Sequence, residues 1–299
     1  MAGASSARGA RPSRGSNARS NSGDAGPSRL IPAMLLANTR IYRTNRPHSR
    51  LMIVDEADRD CNLTSTPHDP LIIALDFDSA READTLVEKV GDSAGFYKVG
   101  LELFAATGPD YVRSLTSRGK RVFLDLKYYD IGETVKRAVN VAAKSGAAFL
   151  TVHAVGQVMR AAMEGRGESN LKLLAVTVLT SFDDGDVRQM GHDCTVSELA
   201  ALRVAQAREI GIDGIVASPL EARAIRQLTG PGALLVTPGV RSHGAAQGDQ
   251  KRIATPADAI RDGADYLVIG RQVTRAADPK SAVAAIRAEL ETVAVPAEA

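Results

Sequence analysis

From Leu71 onward the chain alternates between two hydrophobic patterns. Short continuous apolar runs, many of them β-branched, lie at 71–75, 96–99, 121–126, 148–152, 173–179, 214–217, 233–237 and 266–269. They predict strands buried on both faces, as in a parallel sheet, because a half-exposed strand alternates polar and apolar positions. Between them lie stretches of helical period at 80–90, 101–118, 132–144, 155–164, 196–210, 219–228, 256–262 and 280–293. Gly91, Gly119, Gly146 and Gly211 follow helical segments, where a left-handed terminator is wanted, and Ser197 and Ser281 near helix starts are expected to cap them. Eight strands and eight helices in strict alternation over about 225 residues close into a barrel more readily than they remain an open sheet. The predicted class is therefore α/β, an eight-stranded (β/α)8 TIM barrel with parallel strands, preceded by a disordered N-terminal extension.

That extension is predicted over residues 1–67, with the barrel domain over 68–299. Residues 1–30 are Ser, Ala, Gly, Arg, Asn and Pro with almost no large apolar side chain, too little burial to offset chain entropy. Residues 31–36 form a short apolar island before polar text resumes. Charge sharpens the division. Nine Arg and the single acid Asp24 give residues 1–50 about +8, which leaves the rest of the chain near −6 against a total of +2. A basic, Ser-rich start fits an organelle transit peptide, a start codon placed too far upstream, or a nucleic-acid-binding arm. The expected compartment is the cytoplasm, or an organelle if the leader is a transit peptide.

Composition excludes several classes. No apolar run approaches the ~20 residues that cross a bilayer, so no membrane partner is expected. Two cysteines, Cys61 and Cys194, cannot make a disulfide framework. No Trp and 4% aromatic residues argue against a stacking surface for single-stranded nucleic acid, and the mildly acidic barrel is expected to bind none, which leaves that reading to the basic tail alone. The five histidines show no metal-ligand spacing, and His153 by itself is expected to be structural.

In such barrels chemistry sits at the C-terminal ends of the strands. There the sequence places Asp76, Lys98, Asp125 with Lys127 and then Asp130, His153, Thr180 with Ser181, Arg241 and Gly270-Arg271. Asp125 and Lys127 flank Leu126, so both charged side chains point into the barrel mouth while Leu126 faces the helices. Lys98, Asp125, Lys127 and Asp130 are expected to form one nearly neutral array. Two neighbouring carboxylates favour the charged ammonium of Lys127, which makes it a proton donor rather than a Schiff-base nucleophile. The loops after the seventh and eighth strands, with Gly239, Arg241, Gly270 and Arg271, have the composition of a phosphate cradle.

These segments resemble the orotidine 5′-phosphate decarboxylase family. Residues 125–131, Asp-Leu-Lys-Tyr-Tyr-Asp-Ile, match its Asp-x-Lys-x-x-Asp-Ile signature. Residues 72–78, 97–100, 178–181, 237–241, 248–252, 255–256 and 270–271 resemble further family segments in order, over residues 70–293. One departure is Ile131-Gly132-Glu133-Thr134, where bacterial members usually have Ile-Pro-Asn-Thr.

The resemblance implies conversion of orotidine 5′-phosphate to UMP and CO2 with no metal or organic cofactor. It implies Lys127, Asp125, Lys98 and Asp130 as the catalytic set. It implies Asp76, Lys98, Asp125, Ile131, Thr134, Thr180, Arg241, Gln250, Gly270 and Arg271 as substrate contacts. It also implies a homodimer in which Asp130, Ile131 and Thr134 reach the neighbouring site. Two rivals share the Asp-x-Lys-x-x-Asp run or its setting: an Mg²⁺-dependent hexulose-phosphate synthase or keto-gulonate-phosphate decarboxylase, and a catalytically silent phosphate-ligand-binding barrel.

Overall fold

A computed structural model describes residues 69–242 and 254–292. The extension expected over 1–67 and the proposed contact Gln250 lie outside the described residues. Eight parallel strands close into a barrel in chain order, with β8 pairing back to β1. They are β1 (Leu71–Leu75), β2 (Phe96–Gly100), β3 (Arg121–Tyr128), β4 (Phe149–His153), β5 (Lys172–Val176), β6 (Gly214–Val216), β7 (Leu234–Pro238) and β8 (Tyr266–Ile269). The helices are α1 (Ala80–Val90), α2 (Leu101–Ser117), α3 (Gly132–Ala143), α4 (Gly156–Arg166), α5 (Asp184–Gln189), α6 (Val196–Ile210), α7 (Ala222–Thr229), α8 (Pro256–Arg261), α9 (Arg271–Thr274) and α10 (Pro279–Glu291).

Alternation along each strand builds two separate cores. Ile72, Ala74, Phe96, Phe123, Phe149, Leu174, Val176, Val236 and Val268 fill the barrel interior. Their strand neighbours, such as Ile73, Val99, Leu124 and Leu150, pack outward against the helices. The lower end is closed by aromatics: Phe96 meets Phe149 and Tyr266 edge-on, and the Arg121 guanidinium lies 4.1 Å from the Phe96 ring centre. The opposite end stays polar and open.

Several expectations are corrected. Two helices went unforeseen. The six-residue α5 buries only Val187 and shows too few apolar positions for a period, while the four-residue α9 is a single turn directly after β8. The expected strand at 173–179 ends at Val176, because its partner β6 has only three residues, and Val178 turns into a small cluster with Val187 and Leu199. The helix expected over 101–118 breaks at Gly108 (φ 65°), ahead of Pro109. The helix expected at 219–228 begins as a 3-10 turn, Pro219–Glu221. The caps are Thr195, in a capping box with Glu198, and Asp278, not Ser197 and Ser281. All four predicted terminator glycines have positive φ.

Candidate active site

The inward register that places Ile72 and Ala74 in the barrel interior carries on to Asp76, just past β1. On β2 it runs through Phe96 to Lys98, and on β3 through Phe123 to Asp125 and Lys127. The charges therefore emerge one layer above the apolar interior. Lys98 Nζ donates to Asp76 Oδ1 at 2.9 Å and stands 3.8 Å from Asp125 Oδ2. Lys127 Nζ donates to Asp125 Oδ1 at 2.8 Å. The result is a continuous row, Asp76–Lys98–Asp125–Lys127, formally neutral, with Asp125 and Lys98 its least exposed members. Burial alone would raise the Asp125 pKa, but Lys98 and Lys127 outweigh it and, with hydrogen bonds from Lys127 and Thr151, hold the carboxyl below its usual range. Gly100 gives the row space, since a Cβ there would lie 3.0 Å from Lys98 Nζ.

Lys127 adopts φ 47° and is the one non-glycine residue with positive φ among the described residues. An L side chain in that region is held there against a local cost of about 1–3 kcal/mol. The pairing of β3 with β4 loses register at this point, between Leu124 and Tyr128. The Lys127 amide donates instead to the Thr151 hydroxyl oxygen at 2.8 Å.

The row forms one wall of a cavity of about 280 Å³. Ala74, Val176, Val216 and Val268 make its apolar floor, and Thr180, Ser181, Gly239, Arg241 and Gly270 line the far side. A second recess of about 460 Å³ shares Asp76, Arg241 and Gly270 with it and adds Arg271 and Arg275. Arg241 is buried, and its guanidinium donates to its own carbonyl neighbour Val240 at 2.7 Å. The loop that leaves β7 is tied to α9 by a reciprocal pair: the Ser242 amide donates to the Gln272 side-chain oxygen, and the Gln272 amide group donates to the Ser242 hydroxyl. An apolar floor, a half-buried ammonium–carboxylate pair and an arginine-rich recess can together hold a flat ring at one end and an anion at the other.

The structure brings together Asp76, Lys98, Asp125, Lys127, Thr180, Arg241 and Gly270 around one cavity, with Arg271 in the adjoining recess. It does not bring Asp130 into the same array. Asp130 is exposed beyond β3 and its carboxylate accepts from the Ile131 amide at 2.6 Å, because the backbone turn at Lys127 carries the following residues away from the mouth. Ile131 and Thr134 are likewise exposed and outside the cavity. Two residues were missed. Thr151 continues the inward register of Phe149, a polar residue in an apolar strand, and that was a readable signal. Arg275 lies one helical turn after Arg271, a spacing that puts both on one face. His153 ends β4 with its ring edge-on to Tyr129, and burial, then Arg203 and Lys127, hold its pKa below the usual value.

A family model described as orotidine 5′-phosphate decarboxylase / HUMPS family matches residues 69–286. An orotidine 5′-phosphate decarboxylase of Methylobacterium radiotolerans is 53% identical over 224 residues, 75% of this chain and 97% of its own. One of Rhodopseudomonas palustris is 54% identical over 222 residues, 74% of this chain and 94% of its own. The crystal structure of orotidine 5′-phosphate decarboxylase from Lactobacillus acidophilus is similar with TM-score 0.66 at 38% identity, covering 74% of this chain and 98% of that one.

Proposed function

Since the chain belongs to the orotidine 5′-phosphate decarboxylase / HUMPS family, we propose that it converts orotidine 5′-phosphate to UMP and CO2, with Lys127 as the proton donor and no metal or organic cofactor. The observation that carries this reading is the Lys127 ammonium, bound to the half-buried Asp125 carboxylate at 2.8 Å on the wall of an otherwise apolar-floored cavity.

The chemistry follows from that pair. The bond between pyrimidine C6 and its carboxylate breaks, CO2 leaves, and the electron pair stays on C6. The Lys127 ammonium stabilises this developing charge and delivers its proton to C6. Solvent then restores the proton to Lys127. Asp125, held ionised by Lys98 and Lys127, stands beside the substrate carboxylate in this reading and fixes the ammonium. Lys98 orients Asp125, and Asp76 accepts from the ribose. Thr180 meets the polar edge of the pyrimidine. Arg241, Gly270 and Arg271, with Gln250, hold the phosphate, whose binding energy, gained far from the bond that breaks, assists the reacting centre.

The catalytic unit of this reading is the barrel, residues 68–299. Two copies of the chain share each site, with Asp130, Ile131 and Thr134 reaching the neighbouring cavity. What supports the pairing is that all three are exposed and lie outside the lining of their own cavity, and that Ile131 and Tyr129 expose 73% and 66% of their surface. Relatives from bacteria support a cytoplasmic enzyme.

The test mixes the full chain with orotidine 5′-phosphate, with and without EDTA, and follows loss of pyrimidine absorbance. EDTA-insensitive formation of UMP is expected, and activity that EDTA removes would assign the chain to metal-dependent chemistry instead. Lys127→Ala should lower kcat at least ~10³-fold, in the range a positioned acid supplies. Arg271→Ala should raise KM about 10- to 100-fold and leave some turnover, as loss of a charged phosphate contact does. Wild-type kcat in Lys127→Ala overturns the proton-donor role.

A further inference from the structure

Asp125 and Lys127 are joined by more than their ion pair. The Lys127 amide can only donate, and it donates to Thr151 Oγ1 at 2.8 Å. The Thr151 hydroxyl proton is thereby left to point elsewhere, and Asp125 Oδ1 accepts it at 3.1 Å. The same Oδ1 accepts from Lys127 Nζ at 2.8 Å. A closed ring results: the strained backbone of Lys127, the Thr151 hydroxyl, the Asp125 carboxylate and the Lys127 side chain.

We propose that Thr151 is a positioning residue for the decarboxylation, holding the Lys127 backbone and the Asp125 carboxylate in one fixed geometry. The inference rests on the proton-donor reading of Lys127. Three features carry it. Thr151 is completely buried, so its own hydroxyl is out of reach of water and is committed to these two partners. It sits where β3 advances from Leu124 to Tyr128 while β4 advances only from Leu150 to Val152, so a side chain takes the place of a ladder bond. Its hydroxyl also serves the one positive-φ side-chain residue among those described, which would relax without a partner for its amide. A valine would suit the strand equally well and fill the same space, so β4 itself has no use for the hydroxyl.

The experiment compares Thr151→Val, which keeps the shape and removes the hydroxyl, with Thr151→Ser, which keeps the hydroxyl. Thr151→Val should lower kcat by on the order of 10²-fold, the effect of a misplaced reacting group, with KM for orotidine 5′-phosphate changed little. UMP binding should persist, because the phosphate recess is untouched. Removing one donor to Asp125 should also move the acid limb of the kcat profile to higher pH. Thr151→Ser should restore kcat to within about threefold of wild type. Wild-type kcat in Thr151→Val, a loss confined to KM, or Thr151→Ser as slow as Thr151→Val would each overturn the proposal. If Thr151→Val does not fold, Thr151→Ser decides, with near-wild-type kcat supporting the role of the hydroxyl and a loss as deep as that of Lys127→Ala overturning it. Turnover retained in Lys127→Ala removes the underlying reading, whereas an inactive Lys127→Ala beside a fully active Thr151→Val removes this inference alone.

Discussion

Lys127 is asked for two things at once: a side chain that follows Asp125 into the mouth and a backbone that leaves the strand. Alternation along β3 made the first readable, since Leu126 packs outward against the helices as expected. The second, φ 47°, has no signature in a lysine codon, and the hydroxyl that supports it belongs to another strand. His153, two residues beyond Thr151, is set apart from this work by its surroundings. Burial, with the cations Arg203 and Lys127 adding to it, disfavours the charged imidazole. Its NMR titration midpoint should therefore lie below the ordinary value of 6.5. The folded state then binds fewer protons than the unfolded one just below that pH, so stability falls as pH drops from 6.5 through the lowered midpoint. His153→Gln should flatten that part of the thermal-melting profile. A midpoint at or above 6.5 in the wild type would contradict this account.

At the scale of elements, close approach decides what local propensity does not. Gly165 lies on α4 where it meets α3, and a Cβ there would stand 2.2 Å from the Lys136 carbonyl oxygen and 2.9 Å from the Lys136 Cα. Glycine inside a helix normally costs about 1 kcal/mol relative to alanine, so the naive expectation is that Gly165→Ala stabilises. Here the backbones of two helices would have to separate, and a loss of about 1–3 kcal/mol is expected in a urea titration. A gain would mean the α3–α4 contact yields easily. Helix limits were readable where caps and apolar periods agreed, as for α1 and the extent of α6. They were not readable for α5 and α9, which are too short to show a period. The cap of α6 was misassigned within its own first turn, because Thr195 and Ser197 both precede an acid and only the observed hydrogen bonds separate them.

For the whole molecule, closing the sheet is what turns eight scattered strand ends into one site. Asp76 and Gly270 are 194 positions apart in the chain, yet β1 pairs with β8 and both line the same cavity. Tyr129, Ile131 and Met190 are large apolar side chains left exposed. In the shared-site reading, the protein sediments as a dimer, and Ile131→Asp yields folded monomers with reduced kcat. A fully active monomer would show that each barrel is complete by itself.

The order of the eight strands and of the long helices between them, the class of barrel they form, and the inward direction of Asp125 and Lys127 were determined by the sequence alone, since they follow from repeated local periods and from strand alternation. Tertiary structure decided what depends on neighbours in space. It set the row of ion pairs with its order, the separation of Asp130 from that row, the capture of the Lys127 amide by Thr151, and the addition of Arg275 to the recess that Arg241 and Arg271 line. The physical reason is that hydrophobic burial is patterned along the chain, whereas a hydrogen bond or ion pair needs two groups at one distance and angle. Only the packed barrel fixes those.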